Sequence, residues 1–483
     1  MTITKSIAEE LASIELGDER LNRRAGQVLA RLLESPLASP TAAMHGWAET
    51  LGAYRLLDHP ECTLEAILRA HQQSVLARVR TQPRVLLIQD TTELDYTSKK
   101  KQTGRGPLAE KGRQGYFLHT QWAVNEDRVP LGSWGWQVHA RDPEVGIASK
   151  RKSKRIEQKE SYRWLEGYRQ ACSLSEQAPG VEVISCADRE GDVYEVFVEW
   201  QQRQQDGLPT AEWLIRCNQN RAILQDDTAL ARSAMGKAGL LIEQVQQTPV
   251  VGGAWFEVRT REQNKKLKGI RRRTIREGRR VRQEIRAQRV SLRPPDRRGH
   301  KLPTVSIWVV MATEVDPPSG QEPIDWTILT SKPVENLEQA LDVIQWYLAR
   351  WEIEVFHRVL KSGCKIEELQ FKDVTRIKPL VALYAIVAWR ILYLTKLGRE
   401  CPDLPCDVVF AEEEWKSICL IRRGPQGIVK KPSLQEMILL IASFGGHIGR
   451  RSDGPPGPEA MWRGMQCLRC FALAWQMFGK NTS

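Results

Sequence analysis

The sequence has no second CxxC pair, no long apolar run and no internal repeat. Of its ten cysteines, only Cys467 and Cys470 form a CxxC pair, which cannot complete a four-ligand zinc site. We therefore expect reduced structural thiols. The longest apolar run, Leu380–Trp389, has ten residues; it is too short to span a bilayer and predicts a buried helix. No signal-peptide pattern opens the sequence, so we expect a cytoplasmic protein without a membrane partner.

Negative charge is scarce in one segment only. The chain of 483 residues has a net charge of +12, and its length predicts about three domains at roughly 150 residues each. Residues 259–301 hold 18 Lys/Arg against 4 Asp/Glu, a net of +14, which leaves −2 for the rest. A concentrated basic segment is typical of a protein that binds a polyanion, most simply nucleic acid. A solvated insertion would have the same composition, and charge alone does not separate the two.

The first 70 residues have the pattern of amphipathic helices. Ile7–Leu16 and Arg20–Leu33 form two of them, and Trp47–Leu57 forms another. Several arginines lie on these segments, among them Arg20, Arg24 and Arg55. A small basic helical bundle is a common format for DNA binding. An ordinary helical cap with surface arginines would show the same pattern.

From Arg84 onward the pattern changes to strands and helices in the order βββαβαβ. The first strand, Val85–Ile88, leads to Asp90, and the fourth, Val181–Cys186, leads to Asp188. This order is that of the ribonuclease-H-like fold, which places the first and fourth strands side by side. We predict an α/β protein: a ribonuclease-H-like catalytic core with a mixed sheet and helices on both faces. The predicted domains are helical 1–70, catalytic 71–371 with a basic β-rich insertion at about 221–303, and helical 372–483.

A single predicted helix, from Asn336 to Gly363, carries four functional side-chain types on one stripe. At ~100° per residue, Tyr347, Arg350, Glu354 and Lys361 fall within an arc of roughly 60°. Asn336 and Gln339 predict a capping box at its start. An apolar stripe beside the row is predicted to pack into the core; its residues are Leu341, Ile344, Leu348, Trp351, Val355 and Val359. Most mixed-charge rows on helices are only solvated surface, and the stripe alone does not establish a site.

Three carboxylates are the candidate metal ligands: Asp90, Asp188 and Glu354. Phosphoryl transfer on DNA commonly uses two divalent cations, and hard cations such as Mg²⁺ prefer carboxylate oxygens. Each aspartate alone is more often a strand-end cap or a salt-bridged acid. Three neighbouring acids are alternative candidates, namely Asp95, Glu190 and Asp192.

Three segments resemble the motifs of bacterial DDE transposases of the IS-four family. They are IQDTTELDY (88–96), CADRE (186–190) and YLARWEIEVFHRVLKSG (347–363), the last with the spacing Y-x2-R-x3-E-x6-K. The sequence is most similar to the Tn-five-type cut-and-paste transposases. Further likeness extends over nearly the whole chain, through LGDERL (16–21), GAYRLLDHP (52–60) and PPSGQEPIDWTILTSKPVE (317–335). The basic segment 259–301 is the least similar part.

The resemblance implies an enzyme that nicks DNA at transposon ends, forms a hairpin and transfers the strand to target DNA. It implies that Asp90, Asp188 and Glu354 bind two Mg²⁺ ions, for which Mn²⁺ is able to substitute. Tyr347, Arg350 and Lys361 would contact phosphates, Trp326 would receive a flipped base, and Arg216 would lie near the active site. The N-terminal arginines named above would bind the transposon end. A core position is the alternative for Trp326.

The resemblance also implies the partners of the chain. They are double-stranded DNA at transposon ends and targets, and a second copy of the chain paired through the C-terminal helices. No small-molecule substrate is expected, and the protein would work in the bacterial cytoplasm, on the nucleoid when bound to DNA. Two rivals stay open: a nuclease of the same fold that only hydrolyses DNA, and a domesticated or inhibitory DNA-binding protein.

Overall fold

The chain folds into two compact units, each described here by itself. The computed structural model describes residues 7–99, 102–142, 155–224, 239–258, 261–267, 270–296, 301–371, 374–450 and 452–478. Unit 1 combines Met1–Lys152, Arg169–Val183 and Arg350–Ser483. Unit 2 combines Ser153–Tyr168 and Ile184–Ala349. The chain is α/β, as predicted.

The N-terminal part of unit 1 is helical, as expected. Its helices are α1 Glu19–Glu34, α2 Pro40–Ala43, α3 Trp47–Leu57 and α4 Leu64–Val79. The helix predicted at Ile7–Leu16 is wrong in extent, because only a five-residue 3₁₀ turn, Ile7–Leu11, forms. Gly17 takes a left-handed conformation (φ 77°), and Asp18 then caps α1 by accepting a hydrogen bond from the Arg20 amide at 2.7 Å.

Four strands that pair antiparallel follow in unit 1. They are β1 Arg84–Asp95, β2 Gly106–Pro107, β3 Gln114–Val124 and β4 Pro130–His139. β3 pairs with β1, β2 and β4. The prediction that the first strand ends at Asp90 is wrong: β3 offers partners along all of β1, from Val124 opposite Leu86 to Gly115 opposite Asp95. Asp90 therefore lies inside a strand, opposite Thr120.

Unit 2 is built on a longer mixed sheet. The first elements after α5 Tyr162–Gln177 are β5 Glu182–Ala187, α6 Tyr194–Gln205 and β6 Glu212–Arg216. The later elements are β7 Ala222–Ile223, β8 Gly239–Leu240, α7 Leu241–Gln246, β9 Gly252–Val258, β10 Arg261–Leu267, β11 Ile270–Arg276, β12 Arg279–Leu292, β13 Val305–Glu314 and β14 Asp325–Thr330. β5 and β6 are parallel, and β14, β13 and β12 extend the sheet from β6 with antiparallel pairs.

The basic segment joins this sheet rather than lying wholly apart from it. β12 pairs along its length with β13 and, at its other edge, with β9. Within the residues that the structure describes, β10 and β11 form a separate two-stranded sheet. The insertion is β-rich, as predicted, but its longest strand is continuous with the sheet that carries β6.

The predicted single helix at 336–363 is wrong in its continuity. The structure has α8 Leu337–Ala349, α9 Trp351–Arg358 and a π-helical turn Val359–Gly363. Asn336 caps α8 by accepting the Gln339 amide at 3.0 Å, as expected. The Gln339 side chain, however, accepts the amide of Glu335 at 2.7 Å, one residue before the position a capping box requires. The π turn changes the side-chain directions that uniform helical spacing predicts for the residues that follow Arg358.

The C-terminal part of unit 1 is helical, as predicted. Its helices are α10 Val374–Glu400, α11 Glu412–Arg423, α12 Leu434–Phe444 and α13 Pro458–Phe478. In the described part of the chain, α10 alone is long and apolar enough to cross a membrane, and 94% of its most apolar window is buried inside the protein. This agrees with the buried helix predicted around Leu380–Trp389.

A buried ionic cluster ties the N-terminal turn to the core of unit 1. Glu10 accepts a hydrogen bond from Arg78 at 2.6 Å and lies 2.9 Å from the His71 ring. Arg78 also stacks over Trp389 of α10, with its guanidinium carbon 4.2 Å from the ring centroid. Burial alone would raise the pKa of Glu10, but the His71 hydrogen bond and the Arg78 charge hold it at about 2. The carboxyl group of Glu10 is therefore fully ionised near neutral pH.

Candidate active site

One guanidinium joins two of the three predicted metal-binding carboxylates. Arg350 Nη2 lies 2.7 Å from Glu354 Oε1, and Arg350 Nη1 lies 3.3 Å from Asp90 Oδ2. All three side chains are partly buried: 14%, 36% and 18% of Arg350, Glu354 and Asp90, respectively, is exposed. Asp90 also accepts the Thr91 amide at 2.8 Å. β1 and the start of α9 thus bring Asp90, Arg350 and Glu354 together in unit 1.

α9 is held in place from two sides. Phe356 stacks on Trp122 of β3, with ring centroids 4.1 Å apart. Glu352 forms an ion pair of 3.0 Å with Lys396 of α10. Trp351 is 43% exposed, so its predicted place in the buried apolar stripe is wrong.

His357 is a buried neighbour of the site that the sequence did not indicate. It lies on α9, with its Nε2 3.3 Å from the hydroxyl of Thr120, which is the β3 partner of Asp90. Burial lowers the pKa of His357 to about 3, and the positive charges of Lys361 and Arg350 act in the same direction. His357 is therefore neutral at physiological pH.

Lys361 lies on the π-helical turn and reaches back to β1. Its ammonium donates to the Glu93 carbonyl at 2.7 Å and lies 3.1 Å from Glu367 Oε1. The turn is closely packed against α13: a Cβ at Gly363 would lie 2.9 Å from the ring of Trp462. Lys361, which was predicted to lie in one row with Arg350, is thus held by contacts that could not be predicted from the spacing of residues along a helix.

The three alternative acids all have structural partners. Asp95 pairs with Arg113 at 2.9 Å, and Glu190 pairs with Arg163 at 2.9 Å. Asp192 is buried, pairs with Arg221 and accepts the amides of Asn218 and Gln219 at 2.8 and 2.9 Å. Each of these three acids therefore has an ionic partner of its own.

Asp188 belongs to unit 2 and directly follows β5, as predicted. It caps the short 3₁₀ turn Arg189–Gly191 by accepting the Glu190 amide at 2.8 Å. The turn is tightly packed, since a Cβ at Gly191 would lie 2.5 Å from the Ala187 side chain. The backbone around Asp188 is therefore held in one conformation.

Tyr347, Trp326 and Arg216 also belong to unit 2. Tyr347 is buried on α8, with only 7% exposed. Trp326 lies on β14 and is half-buried, with its ring edge-on to Phe256 at 5.3 Å, so it is not a fully buried core tryptophan. Arg216 ends β6 and donates to the Asp325 carbonyl at 3.0 Å, which places it beside the backbone of Trp326.

The predicted DNA-binding arginines of the N-terminal helices are available at the surface. Arg20 and Arg55 are exposed, on α1 and α3 respectively. The Arg24 side chain lies over Gly52 of α3, where a Cβ would be 3.2 Å from its Nε. Arg31, by contrast, is structural, because it bonds the Glu49 carboxylate through two nitrogens at 3.1 Å each and so links α1 to α3.

The donor chemistry of the Arg350 cluster suits a hard divalent cation. Asp90 and Glu354 supply carboxylate oxygens, and both already face a single positive group. Among the described residues, no three His, Cys, Asp or Glu side chains are grouped closely enough to hold a metal ion. The two carboxylates fit a cation in type and charge, but the group that they contact in this structure is the Arg350 guanidinium.

Two family models match opposite ends of the chain. Residues 4–62 match the transposase DNA-binding domain, which covers α1, α2 and α3 with their surface arginines. Residues 386–477 match the Transposase Tn5 dimerisation domain, which covers the end of α10 and the last three helices. A chain that carries a transposase DNA-binding domain near one end and a transposase dimerisation domain near the other is a DNA transposase. The protein is a transposase of the Tn5 type, with DNA and a second copy of the chain as partners.

Proposed function

We propose that this transposase works by cut-and-paste transposition, with Asp90, Asp188 and Glu354 as the ligands of two Mg²⁺ ions. The observation that carries the proposal is the Arg350 bridge, which holds two carboxylates from separate elements around one positive charge. A buried or half-buried carboxylate pair needs such compensation, and a divalent cation supplies it equally well. When bound, two Mg²⁺ ions would supply activation of the attacking oxygen and stabilisation of the leaving oxygen.

The residues of the chain have separate roles in this proposal. Arg350, once released from the carboxylates, binds the phosphate at the cleaved end with its planar pair of donors, and Lys361 adds a point charge. Tyr347 contacts a neighbouring phosphate. His357, neutral and buried behind Arg350, adds no third positive charge to the site.

The sequence of reactions is proposed by resemblance. Water first nicks the transposon end and leaves a 3′-hydroxyl, which attacks the opposite strand and forms a hairpin. A second water reopens the hairpin, and the freed 3′-hydroxyl attacks target DNA. Trp326 receives the extruded base, because stacking offsets part of the unpairing cost; its ring, incompletely buried and edge-on to Phe256, supports this role.

The proposed fold and assembly complete this proposal. The order β4-β3-β1 in unit 1 and the parallel pair β5–β6 in unit 2 support a ribonuclease-H-like core. Arg20, Arg24 and Arg55 bind the transposon end, and the C-terminal helices pair two protomers, each holding one end. We place the protein in the bacterial cytoplasm.

The test is incubation with the inverted-repeat DNA that flanks the gene and Mg²⁺, followed by a denaturing gel. The wild-type protein is expected to produce nicked and hairpin species, while Asp90→Asn, Asp188→Asn and Glu354→Gln bind the end but leave it intact. Glu352→Gln is the matched control, because it removes an equivalent carboxylate from α9 that pairs only with Lys396. Nicking by Glu354→Gln at the wild-type rate would remove Glu354 from the site. Nicks without any hairpin or strand transfer would indicate a nuclease instead.

A further inference from the structure

Among the described residues, Lys361 is restrained by two contacts that leave one of its three donors for a ligand. An ammonium group has three N–H donors. One is taken by the Glu93 carbonyl at 2.7 Å and one faces Glu367 Oε1 at 3.1 Å. Lys361 is about a quarter exposed, so the remaining donor can be reached from solvent. The long side chain is thereby fixed at its tip rather than free to sample rotamers.

Glu367 is itself anchored at the position from which it holds Lys361. It lies in the 3₁₀ turn Ile366–Glu368, and the same Oε1 accepts the backbone amide of Asp95 at 2.8 Å. Tyr96 fixes the turn from the other side by donating its hydroxyl to the Ile366 carbonyl at 2.5 Å. The turn starts from Lys365 in a left-handed conformation (φ 52°), which a lysine adopts only when its surroundings require it.

We propose that Glu367 is a positioning residue for the transposase reaction, acting through Lys361. Its carboxylate holds the ammonium against the end of β1, so that the remaining N–H faces the phosphate of the bound DNA end. This inference rests on the proposed role of Lys361 as a phosphate contact. A group that is already held in position does not have to lose conformational entropy during the reaction. Glu367 therefore acts on the rate of the chemical step more than on DNA binding.

Glu367→Gln isolates this role from a purely structural one. The amide oxygen still accepts the Asp95 amide, so the turn keeps its anchor, but the charge that holds Lys361 is gone. Glu368→Gln is the matched control: it neutralises the next residue of the same turn, which is exposed and pairs only loosely with Lys365 at 3.7 Å. Glu367→Asp is a second variant, which keeps the charge but shortens the reach.

The expected result is a lower single-turnover nicking rate at saturating DNA. Glu367→Gln should lose roughly 5- to 50-fold, the size expected for one charge-assisted hydrogen bond, with end affinity within roughly twofold of the wild type. Glu367→Asp should lie between, and Glu368→Gln should match the wild type. Melting temperatures identify any variant that fails to fold.

The decisive measurement is a double-mutant cycle with Lys361→Gln. If Glu367 acts through Lys361, adding Glu367→Gln to Lys361→Gln costs no further activity. An equal loss in both backgrounds would assign Glu367 a structural role and overturn the proposal, as would wild-type nicking by Glu367→Gln. Wild-type nicking that depends on Asp90 is the internal check on the proposed function. Its absence would refute that function and this inference with it, whereas its presence leaves the cycle to judge Glu367 alone.

Discussion

Arg350→Ala should make the stability of the protein depend on Mg²⁺. In the structure, Arg350 neutralises two carboxylates from different elements, Asp90 in β1 and Glu354 in α9. Its removal takes from both partly buried acids the guanidinium that they share. A divalent cation that binds between them then restores what the guanidinium supplied.

The magnitude follows from the two contacts. Hydrogen bonds to charged groups contribute about 1.5–3 kcal/mol each. The contact to Asp90 is long at 3.3 Å, and Glu354 is 36% exposed, so solvent screening reduces both contributions. We expect a total loss of about 2 kcal/mol, or a fall of a few degrees in melting temperature. Mg²⁺ at 100 times its dissociation constant stabilises by about 2.7 kcal/mol, which is enough to offset the loss.

The assay is thermal melting in EDTA and in a Mg²⁺ series, without DNA. Arg350→Ala should melt below the wild type in EDTA and gain more from Mg²⁺ than the wild type does, because no guanidinium has to be displaced. Lys396→Ala is the control: it breaks a pair of similar burial, 3.0 Å from Glu352 on the same helix, but leaves only one carboxylate unpaired. It should be destabilised without a Mg²⁺ response.

Two outcomes would refute the reasoning. One is an Arg350→Ala melting curve that Mg²⁺ raises no more than the wild-type curve. The other is an equal response in Lys396→Ala, which would mean that Mg²⁺ acts on general surface charge. The double variant Arg350→Ala/Glu354→Gln should lose the Mg²⁺ response, since only one of the two ligands remains.

Three further changes test other parts of the molecule. Trp326→Ala should slow hairpin formation more than first-strand nicking, with Trp326→Phe between, in a time course; equal loss of both steps with a depressed melting temperature would favour a packing role. Changing the exposed arginines Arg280, Arg282 and Arg289 to Gln should lower the log–log salt slope of DNA binding by about 0.9 each, and an unchanged slope would favour a solvated insertion. The folded-state pKa of His357 is about 3, below the ordinary 6.5, so the unfolded chain binds its proton first as pH falls. Stability should therefore decrease from pH 6.5 towards pH 3 by about 1.4 kcal/mol per unit, and His357→Gln should flatten that dependence in urea titrations at pH 7 and 5.

Local patterns in the sequence were enough to predict most elements. The apolar run that leads to Asp188 and the helical part predicted at 372–483 are found close to their predicted bounds. The motifs around Asp90, Asp188 and Glu354 were enough to name the family that the two matched domains support. These features depend on neighbours in the chain, which is why periodicity and spacing reveal them.

Only the tertiary structure decided where the elements stop and what the charged groups contact. β1 continues past Asp90 because β3 offers partners as far as Gly115 opposite Asp95. The helix predicted at 336–363 is interrupted at Arg350, and Trp351 is exposed. Neither the continuation of β1 nor the interruption of the helix is marked in the sequence by a proline or glycine at that position.

The side-chain contacts of the candidate site are the clearest example of a feature that the sequence alone did not predict. Arg350 meets Asp90 across 260 residues, and Lys361 meets the Glu93 carbonyl across 268. The spacing of residues in the sequence predicts which side chains share a face of a helix. It does not predict which strand packs against that face or which carboxylate contacts the arginine. The residue types were therefore enough to predict the chemistry of the site. Which side chains pair, how deeply His357 is buried and how Glu367 contacts Lys361 depend on packing between distant segments.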